Sequence, residues 1–383
     1  AILLLGISSC DYLEQEPDSI YTDDQIFKDP VLIKSVLANF YGRTFWKNGE
    51  DITDHYSYMF LDDAGKSSGS PENISTFSNT FWRAYDYTLI RHINQFLSGL
   101  RQSTVLTTDE KNQIEGEVRF IRAWCYFNMC RALGGLPIVG DKVFTYSGGD
   151  QDLTPLQVSR STEEDTYDYI IDECHIASTM MSGEKTTNSA RANKWTAKML
   201  EARAAIYAAS LAKYNNQMAI PIKTTGGEVG ISTDKAKSYY ILAMMAAKEV
   251  ITDSPYALQD NYPLDRGRNF YEATTVKENN SEVIWATDYK YPGNSHLFTH
   301  LNIPMSHVED ASGCVLGVVL NLVEEFEPIN TITPGQGSKF ITQEGGDYKF
   351  YDSADAPFKD RDPRLWGSVI YPGATFKGKT VPI

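Results

Sequence analysis

The stretch from Thr107 to Pro137 constrains the fold of this chain more than any other segment. Thr107-x-x-Glu110 is a capping box, the pattern that begins a helix. Two apolar faces follow at helical spacing, Ile114/Val118/Ile121/Cys125 and Phe120/Trp124/Phe127. Gly134-Gly135 supplies a left-handed cap, and Pro137 prevents the helix from continuing. A helix with two apolar faces has to pack on both sides, so we expect a central helix in a larger helical domain.

Similar signals predict further helices between Pro30 and Pro255. Ser161-x-x-Glu164 begins one, an alanine-rich helix begins near Asn193, and another follows Thr233-Asp234 and stops at Pro255. Earlier helices are expected over 30–46 and 80–100. The starts at 107, 161, 193 and 233 lie 54, 32 and 40 residues apart. A tetratricopeptide-like solenoid, with a repeat of about 34 residues, therefore requires long insertions.

The pattern changes after Pro255, where Gly, Pro, Asn and Asp become frequent. Short strand-like runs occur there, at 282–286 and 367–371. The sequence predicts a mainly α fold. Residues 30–255 form a tetratricopeptide-like solenoid of helix pairs, and residues 256–383 form an irregular, loop-rich lobe that contains short strands.

The N-terminal residues have the pattern of a secretory signal sequence. Residues 1–9 are apolar and end in small residues, which indicates a truncated signal peptide, and Ile7-Ser8-Ser9-Cys10 fits a bacterial lipobox. We expect Cys10 to be lipidated and residues 10–29, which are acidic and polar, to form the tether. The alternative is a buried strand over residues 2–7, with Cys10 as a small core residue.

Charge and cysteine content exclude some classes of function. The chain has 35 basic and 50 acidic residues, a net charge of −15, which repels nucleic-acid backbones. Five cysteines in 383 residues do not make a disulfide framework. Cys125 and Cys130 point to different sides of one helix, so we expect both thiols to be unpaired.

Catalytic and metal motifs are weak. Gly65-Lys66-Ser67-Ser68-Gly69 matches the pattern of a hydrolase nucleophile elbow, which needs a strand before it and a helix after it, whereas Ser70-Pro71 follows here. His296 and His300 have metal-ligand spacing only if they share a helix, and Pro292, Gly293 and Pro304 surround them. We therefore expect no enzyme activity, no cofactor and no metal site.

Aromatic residues in polar loops favour sugar binding. A pyranose ring stacks on an aromatic face, while its hydroxyls need carboxylate, amide or backbone partners. The candidates lie in two loops: Phe77 with the polar residues Asp62, Asp63 and Asn73, and Tyr289 with Tyr291 and His296. Each aromatic residue has the alternative of packing on its own domain.

Four segments together resemble one family. They are 116–139, a long helix followed by Gly-Gly-x-Pro; Trp82-x-x-Tyr85 with Ile93-Asn94; the helix around Glu201-Ala202-Arg203; and 320–326 leading to Asp360-Arg-Asp-Pro-Arg-Leu365. With the lipobox, this order is similar to the SusD/RagB-like outer-membrane nutrient-binding lipoproteins. The segments also have structural roles, since Arg119, Arg122 and Arg203 are expected to pair with carboxylates between packed helices.

The resemblance implies a non-enzymatic lipoprotein at the cell surface, anchored in the outer membrane. Such a protein captures oligosaccharide and passes it to a SusC-like TonB-dependent transporter. It also implies that residues 256–383 are C-terminally truncated relative to the family. Two alternatives stay open: a lipoprotein that binds peptide or another nutrient, and a lipid-anchored glycoside hydrolase, which would need two facing carboxylates such as Asp62 and Asp63.

Overall fold

The computed structural model of this chain describes most of the helical part and much of the lobe. The described ranges are 23–44, 63–67, 84–146, 148–185, 190–290, 292–293, 295–308, 313–329, 343–344, 347–348 and 350–382. Cys10, Asp62, Asn73, Phe77 and Tyr291, which the sequence singles out, lie outside them.

Helices dominate the described part of the chain. The α-helices are α1 (Asp23–Ile26), α2 (Pro30–Arg43), α3 (Tyr87–Gln102), α4 (Thr108–Leu133), α5 (Glu163–Met180), α6 (Lys194–Tyr214), α7 (Ala236–Asp253), α8 (Arg266–Thr275), α9 (Phe298–Asn302), α10 (Leu320–Glu325) and α11 (Arg364–Ser368). Helices α4 to α7 pack each against the next along the chain, and α2 and α3 pack against each other and against α4. This mainly α arrangement of stacked helices confirms the predicted fold class.

Helix α4 is the central element. Both hydrogen bonds of its capping box are present: the Glu110 N–H donates to Thr107 Oγ1 (3.2 Å), and the Thr107 N–H donates to Glu110 Oε2 (3.0 Å). Fifteen of its 26 residues are buried, including Phe120 and Trp124. The prediction of a helix packed on two sides is therefore confirmed.

The turn after α4 depends on two glycines. Gly134 has φ of +78°, a conformation that glycine adopts without strain. A Cβ at Gly135 would lie 2.1 Å from the Ser161 carbonyl oxygen, so the backbone ahead of α5 approaches closer than a side chain permits. These two glycines let the chain leave α4 and return as α5 alongside it.

A buried ionic cluster joins three helices to the turn after α4. The fully buried guanidinium of Arg122 on α4 forms a salt bridge with Glu173 of α5 (Nη2–Oε2, 2.7 Å). The same group donates to Asn94 Oδ1 of α3 (2.7 Å) and pairs with Asp141 (2.8 Å). Arg119 binds the other oxygen of Glu173 at 2.8 Å. The expectation that Arg119 and Arg122 pair with carboxylates is confirmed. The Arg203 guanidinium lies over the ring of Phe127, 5.8 Å from its centroid.

Several predicted boundaries need correction. The N-cap of α5 is Thr162 rather than Ser161, and its side chain accepts a hydrogen bond from the Asp165 N–H. Helix α3 begins after Asp86, whose carboxylate caps it, rather than at residue 80. The predicted caps of α4 and α6 are confirmed, and α7 is preceded by a 3₁₀ turn at Thr233–Lys235. Cys125 and Cys130 are free thiols, as their spacing predicts.

The lobe is built from short elements, and one segment from outside it joins its strands. The described strands form three antiparallel pairs: β1 (Ala64–Lys66), which lies outside the lobe, with β2 (Leu316–Val318); β3 (Gln343–Glu344) with β4 (Asp347–Tyr348); and β5 (Thr375–Phe376) with β6 (Lys379–Thr380). Helices α8 and α11 pack together, and Val323, Leu365 and Val369 form a small second core.

The two strand-like runs are not strands. Residues 282–286 form no ladder, and Trp285 packs against α4 instead. Gly367 and Ser368 end α11, where Gly367 lies so close to the Phe270 ring that an added Cβ would be 3.0 Å from it. In both runs tertiary packing overrides β propensity.

Arg122→Ala tests the importance of the ionic cluster. The substitution leaves Glu173, which is 5% exposed, as a buried charge with less compensation. We expect it to lower the free energy of unfolding by about 3–5 kcal/mol, as losing one partner of a buried pair does. Urea denaturation measures the loss. The matched control is Arg266→Ala, which breaks the exposed pair with Asp260 (3.3 Å) and should cost about 0–1 kcal/mol. Equal losses would contradict the importance of the cluster.

The cluster also predicts how stability depends on pH. Burial alone would raise the pKa of the Asp141 carboxyl, but Arg122 and Arg101 hold that pKa below its ordinary value. A lowered folded pKa adds stability above the unfolded value of about 3.9, and this stability is lost as the pH falls through the folded pKa. Asp141→Asn should therefore destabilise the protein at neutral pH, and the difference from wild type should shrink below about pH 4. Denaturation series over this pH range measure it, and a difference that stays constant would contradict the prediction.

Candidate functional site

Three aromatic side chains gather at the edge of the lobe. The rings of Tyr289 and His296 meet edge to face, with centroids 4.6 Å apart and planes at 89°. The ring of Phe298 lies 6.5 Å from that of His296 and is again nearly perpendicular to it. Tyr289 and His296 are half-buried, and Phe298 is 41% exposed. We call Tyr289, His296 and Phe298 the aromatic cluster.

Two local interactions shape the backbone of the cluster. The Lys277 ammonium pairs with the Asp288 carboxylate (2.5 Å) and also donates to the Tyr289 carbonyl. The Phe298 N–H donates to His296 Nδ1 (3.2 Å) at the start of α9, so His296 acts as a local acceptor there. A charged pair and backbone carbonyls thus lie beside the aromatic rings, which gives the cluster both apolar and hydrogen-bonding groups.

A frame of backbone hydrogen bonds connects Asp63, from the first of the two predicted ligand loops, to the region of the aromatic cluster. Strand β2 is joined to the end of α9 through the residue that precedes it, because the Val315 N–H donates to the Leu301 carbonyl (2.8 Å). On its other side it pairs with β1, and the Val319 N–H donates to the Asp63 carbonyl (3.2 Å). Asp63 is therefore held on the same frame as α9, which begins two residues after His296. One Asp63 carboxylate oxygen is buried and accepts no hydrogen bond from residues of the described ranges.

Trp285 connects the segment before the cluster to the helical core. Its ring meets Phe120 and Trp124 of α4 edge to face, with centroids 4.8 Å and 5.5 Å away. Its indole N–H donates to the Ala190 carbonyl (3.2 Å), just ahead of α6. Tyr289 lies four positions after Trp285 in the sequence.

The structure thus brings together part of the predicted site. Tyr289 and His296 are in contact, and Asp63 lies on the connected frame; the other four predicted ligand contacts fall outside the described residues. Sequence reasoning missed Phe298, although it stands only two residues after His296. It also missed Trp285, because 282–286 was interpreted as a strand.

The geometry of the weak catalytic motifs does not fit catalysis. Ser67 extends the β1–β2 ladder, with its N–H donating to the Val315 carbonyl (2.9 Å), and its hydroxyl donates to the Cys314 carbonyl rather than to a base. His296 precedes α9 and His300 lies within it, so the two do not share a helical face. Within the described residues, no group of three or more His, Cys, Asp or Glu side chains could hold a metal ion.

A separate apolar cavity lies between the helices. It has a volume of about 800 Å³ and is lined by residues of α4, α6 and α7 together with Glu282, Ile284 and Trp285. Trp124 of α4, Met199 of α6 and Met244 of α7 are among the lining residues. Polar groups are sparse in its lining, in contrast to the aromatic cluster, where charged groups and carbonyls adjoin the rings.

The family of this chain follows from comparison with known proteins. A family model described as SusD-like, "starch-binding associating with outer membrane", matches residues 11–206, just over half of the chain. The chain belongs to this SusD-like family, as its motifs indicate. No helix in the described ranges is long and apolar enough to cross a bilayer.

Individual relatives are distant. SusD-like protein P25 of Formosa agariphila is 23% identical over 314 residues, which cover 75% of this chain and 50% of that protein. SusD-like protein P2 of the same organism is 24% identical over 192 residues, 46% of this chain and 36% of that protein. The chain therefore spans half or less of the length of these curated relatives.

Solved structures share the fold. A SusD-like protein from Bacteroides fragilis superposes with a TM-score of 0.61 at 20% identity, over 92% of this chain and 62% of that one. A SusD-like carbohydrate-binding protein from the same species gives a TM-score of 0.59 at 17% identity, over 93% of this chain and 62% of that one. At these identities the likeness concerns the fold, and it extends over the helical part and the lobe.

Proposed function

We propose that this chain is a surface-exposed, non-enzymatic lipoprotein that binds oligosaccharide and delivers it to a SusC-like TonB-dependent transporter in the outer membrane. The aromatic cluster carries the proposal for binding, and membership of the SusD-like family supports it. Cys10, in the lipobox, is the proposed site of the lipid anchor. The glycan-binding residues proposed from the sequence, Asp62, Asp63, Asn73, Phe77, Tyr289, Tyr291 and His296, are kept, and Phe298 is added.

The aromatic cluster has the physical properties that a sugar site needs. A pyranose presents a face of C–H groups that packs on an aromatic ring and a rim of hydroxyls that must stay hydrogen-bonded. Phe298 is 41% exposed; the half-buried ring of His296 lies beside it, and the half-buried ring of Tyr289 lies beside His296. Lys277 and Asp288 lie beside Tyr289 and offer a donor and an acceptor for hydroxyls.

Exposure separates this cluster from ordinary core aromatics. Tyr126 and Tyr167 of the helical core are fully buried, so no ligand can reach them. The cluster is held by a few hydrogen bonds at the lobe edge rather than by a dense core. A ligand that covers these rings would remove apolar surface from water without disturbing the fold.

Tyr289→Ala and His296→Ala should each weaken glycan binding by about tenfold. The reason is that one lost ring contact, together with its buried area, is worth on the order of 1.4 kcal/mol. Calorimetry with maltoheptaose, chosen because the family model is described as starch-binding, and with hits from a glycan array measures the affinity. The melting temperature should change little, because the cluster contributes little to the core.

Tyr146→Ala is the control for these variants. Tyr146 is 61% exposed and belongs to a different part of the chain, the segment after the turn that follows α4, so its removal should leave affinity unchanged. If both cluster variants bind every array hit as tightly as wild type does, the proposed platform is wrong. If the protein binds peptides but no glycan, or if it releases reducing sugar, the peptide-binding or glycoside hydrolase alternative replaces the proposal.

Cys10→Ser tests the anchor. In the precursor, supplied with a complete lipoprotein signal peptide, loss of the thiol removes the atom that carries diacylglycerol, so the protein should leave the membrane fraction. Fractionation and labelling with a palmitate analogue measure the effect. Cys314→Ser is the control, because Cys314 lies in the lobe near β2 and its replacement should leave the protein in the membrane fraction. Unchanged fractionation of Cys10→Ser would contradict lipidation at this residue.

A further inference from the structure

Trp285 joins a buried helix to a segment without regular secondary structure. On one side is α4, the most buried helix, whose Phe120 and Trp124 are 1% and 6% exposed. On the other side is the segment that leads to the aromatic cluster, which has no regular ladder of its own from Glu282 to Tyr289. The side chain of Trp285 makes this connection through its ring contacts with Phe120 and Trp124 and through its hydrogen bond to the Ala190 carbonyl.

The contact is specific in orientation. Both ring pairs are nearly perpendicular, at 85° and 87°, which is a favoured arrangement of aromatic quadrupoles. The indole N–H gives a directional hydrogen bond of 3.2 Å. Together they fix both the position and the rotation of the indole, so the backbone at residue 285 has a defined starting point.

Tyr289 lies so close to Trp285 in the sequence that the fixed indole restricts the position of Tyr289. Four residues of extended chain reach at most about 14 Å. At the far end of that short span, Lys277 holds both the Asp288 carboxylate and the Tyr289 carbonyl. The Tyr289 ring, which meets His296 at 89°, is therefore constrained from Trp285 and from Lys277.

Trp285 is also only partly enclosed by protein. Its ring forms part of the wall of the 800 Å³ cavity and is half-buried, so a smaller side chain enlarges an existing space rather than opening a new hole in a closed core. The cost in global stability should be smaller than for a fully enclosed tryptophan. Its removal is expected to act mainly on the segment that it holds.

We propose that Trp285 is the positioning residue of the ligand site: it fastens the segment 286–289 to α4, so that the aromatic cluster meets its ligand already arranged. This inference rests on the proposed glycan-binding function. A site arranged before binding does not spend binding free energy on ordering its loop, which raises affinity without adding a contact. Trp285 itself acts through Tyr289 and does not touch the ligand.

Three variants test this role. Trp285→Ala removes the anchor, and Trp285→Phe keeps an aromatic ring but loses the hydrogen bond to Ala190. Trp366→Ala is the matched control, since Trp366 is 52% exposed and pairs edge to face with Tyr271, on α11 and α8. Amide hydrogen exchange of the peptide 286–290, affinity for maltoheptaose or an array hit, and melting temperature are measured for each.

In Trp285→Ala we expect amide exchange in 286–290 to be faster by about tenfold and affinity to be weaker by about tenfold, with a shift of only a few degrees in melting temperature. Trp285→Phe should recover most of both losses, and Trp366→Ala should resemble wild type. The recovery and the separation of affinity from melting temperature distinguish positioning from a general loss of stability.

Three results would overturn the inference. Unchanged exchange with unchanged affinity would show that Trp285 anchors nothing, and faster exchange with unchanged affinity would show that the anchoring does not serve the site. Weaker affinity with unchanged exchange would show that Trp285 contacts the ligand directly. If wild type binds no glycan, the proposed function fails, whereas faster exchange in the alanine variant would still establish the anchor by itself.

Discussion

The salt bridge between Arg122 and Glu173 is the interaction on which the helical part most depends. A guanidinium with no exposed surface needs hydrogen-bond partners for its donors, and here carboxylates, an amide and a backbone carbonyl supply them. These partners come from α3, from α5 and from the turn after α4. The network therefore fixes the relative positions of three helices and a turn, which apolar contacts alone would hold less specifically.

The helices that this network holds also position the proposed ligand site. Phe120 lies two residues before Arg122 on α4, and Trp124 lies two residues after it, so the helix that holds the ionic cluster also presents the rings that receive Trp285. In the proposed function, the buried charge network fixes α4, and α4 holds the indole of Trp285. The indole in turn positions the segment that leads to the aromatic cluster. If the proposal holds, the residues that stabilise the fold lie on α4 and the residues that bind the ligand lie in the lobe.

Much of the helical part could be predicted because its signals are local. A capping box or an asparagine cap involves residues within one turn, so Thr107 and Asn193 identify helix starts without knowledge of the fold. The sequence predicts the cap of α5 one residue too early, because the adjacent Ser161 and Thr162 are both residue types that cap helices. The start of α3 was placed too early because Phe81 and Trp82 extend the apolar pattern ahead of Asp86. Tyr289 and His296 could be identified as candidate ligand contacts because Pro and Gly place them in a loop. The packing of Trp285 could not be predicted, since its partners are distant in the chain.

The pairing of β1 with β2 has a consequence for how the molecule assembles. The helices from α4 to α7 contact their neighbours in sequence, so they can form early and locally. The hydrogen bond from Ser67 to Cys314 spans 247 residues, and the chain must close this long loop before Asp63 and α9 share a frame. The helical part should therefore acquire its structure first, from contacts between neighbouring helices. The region that contains the proposed ligand site should be completed last, when the two distant segments pair.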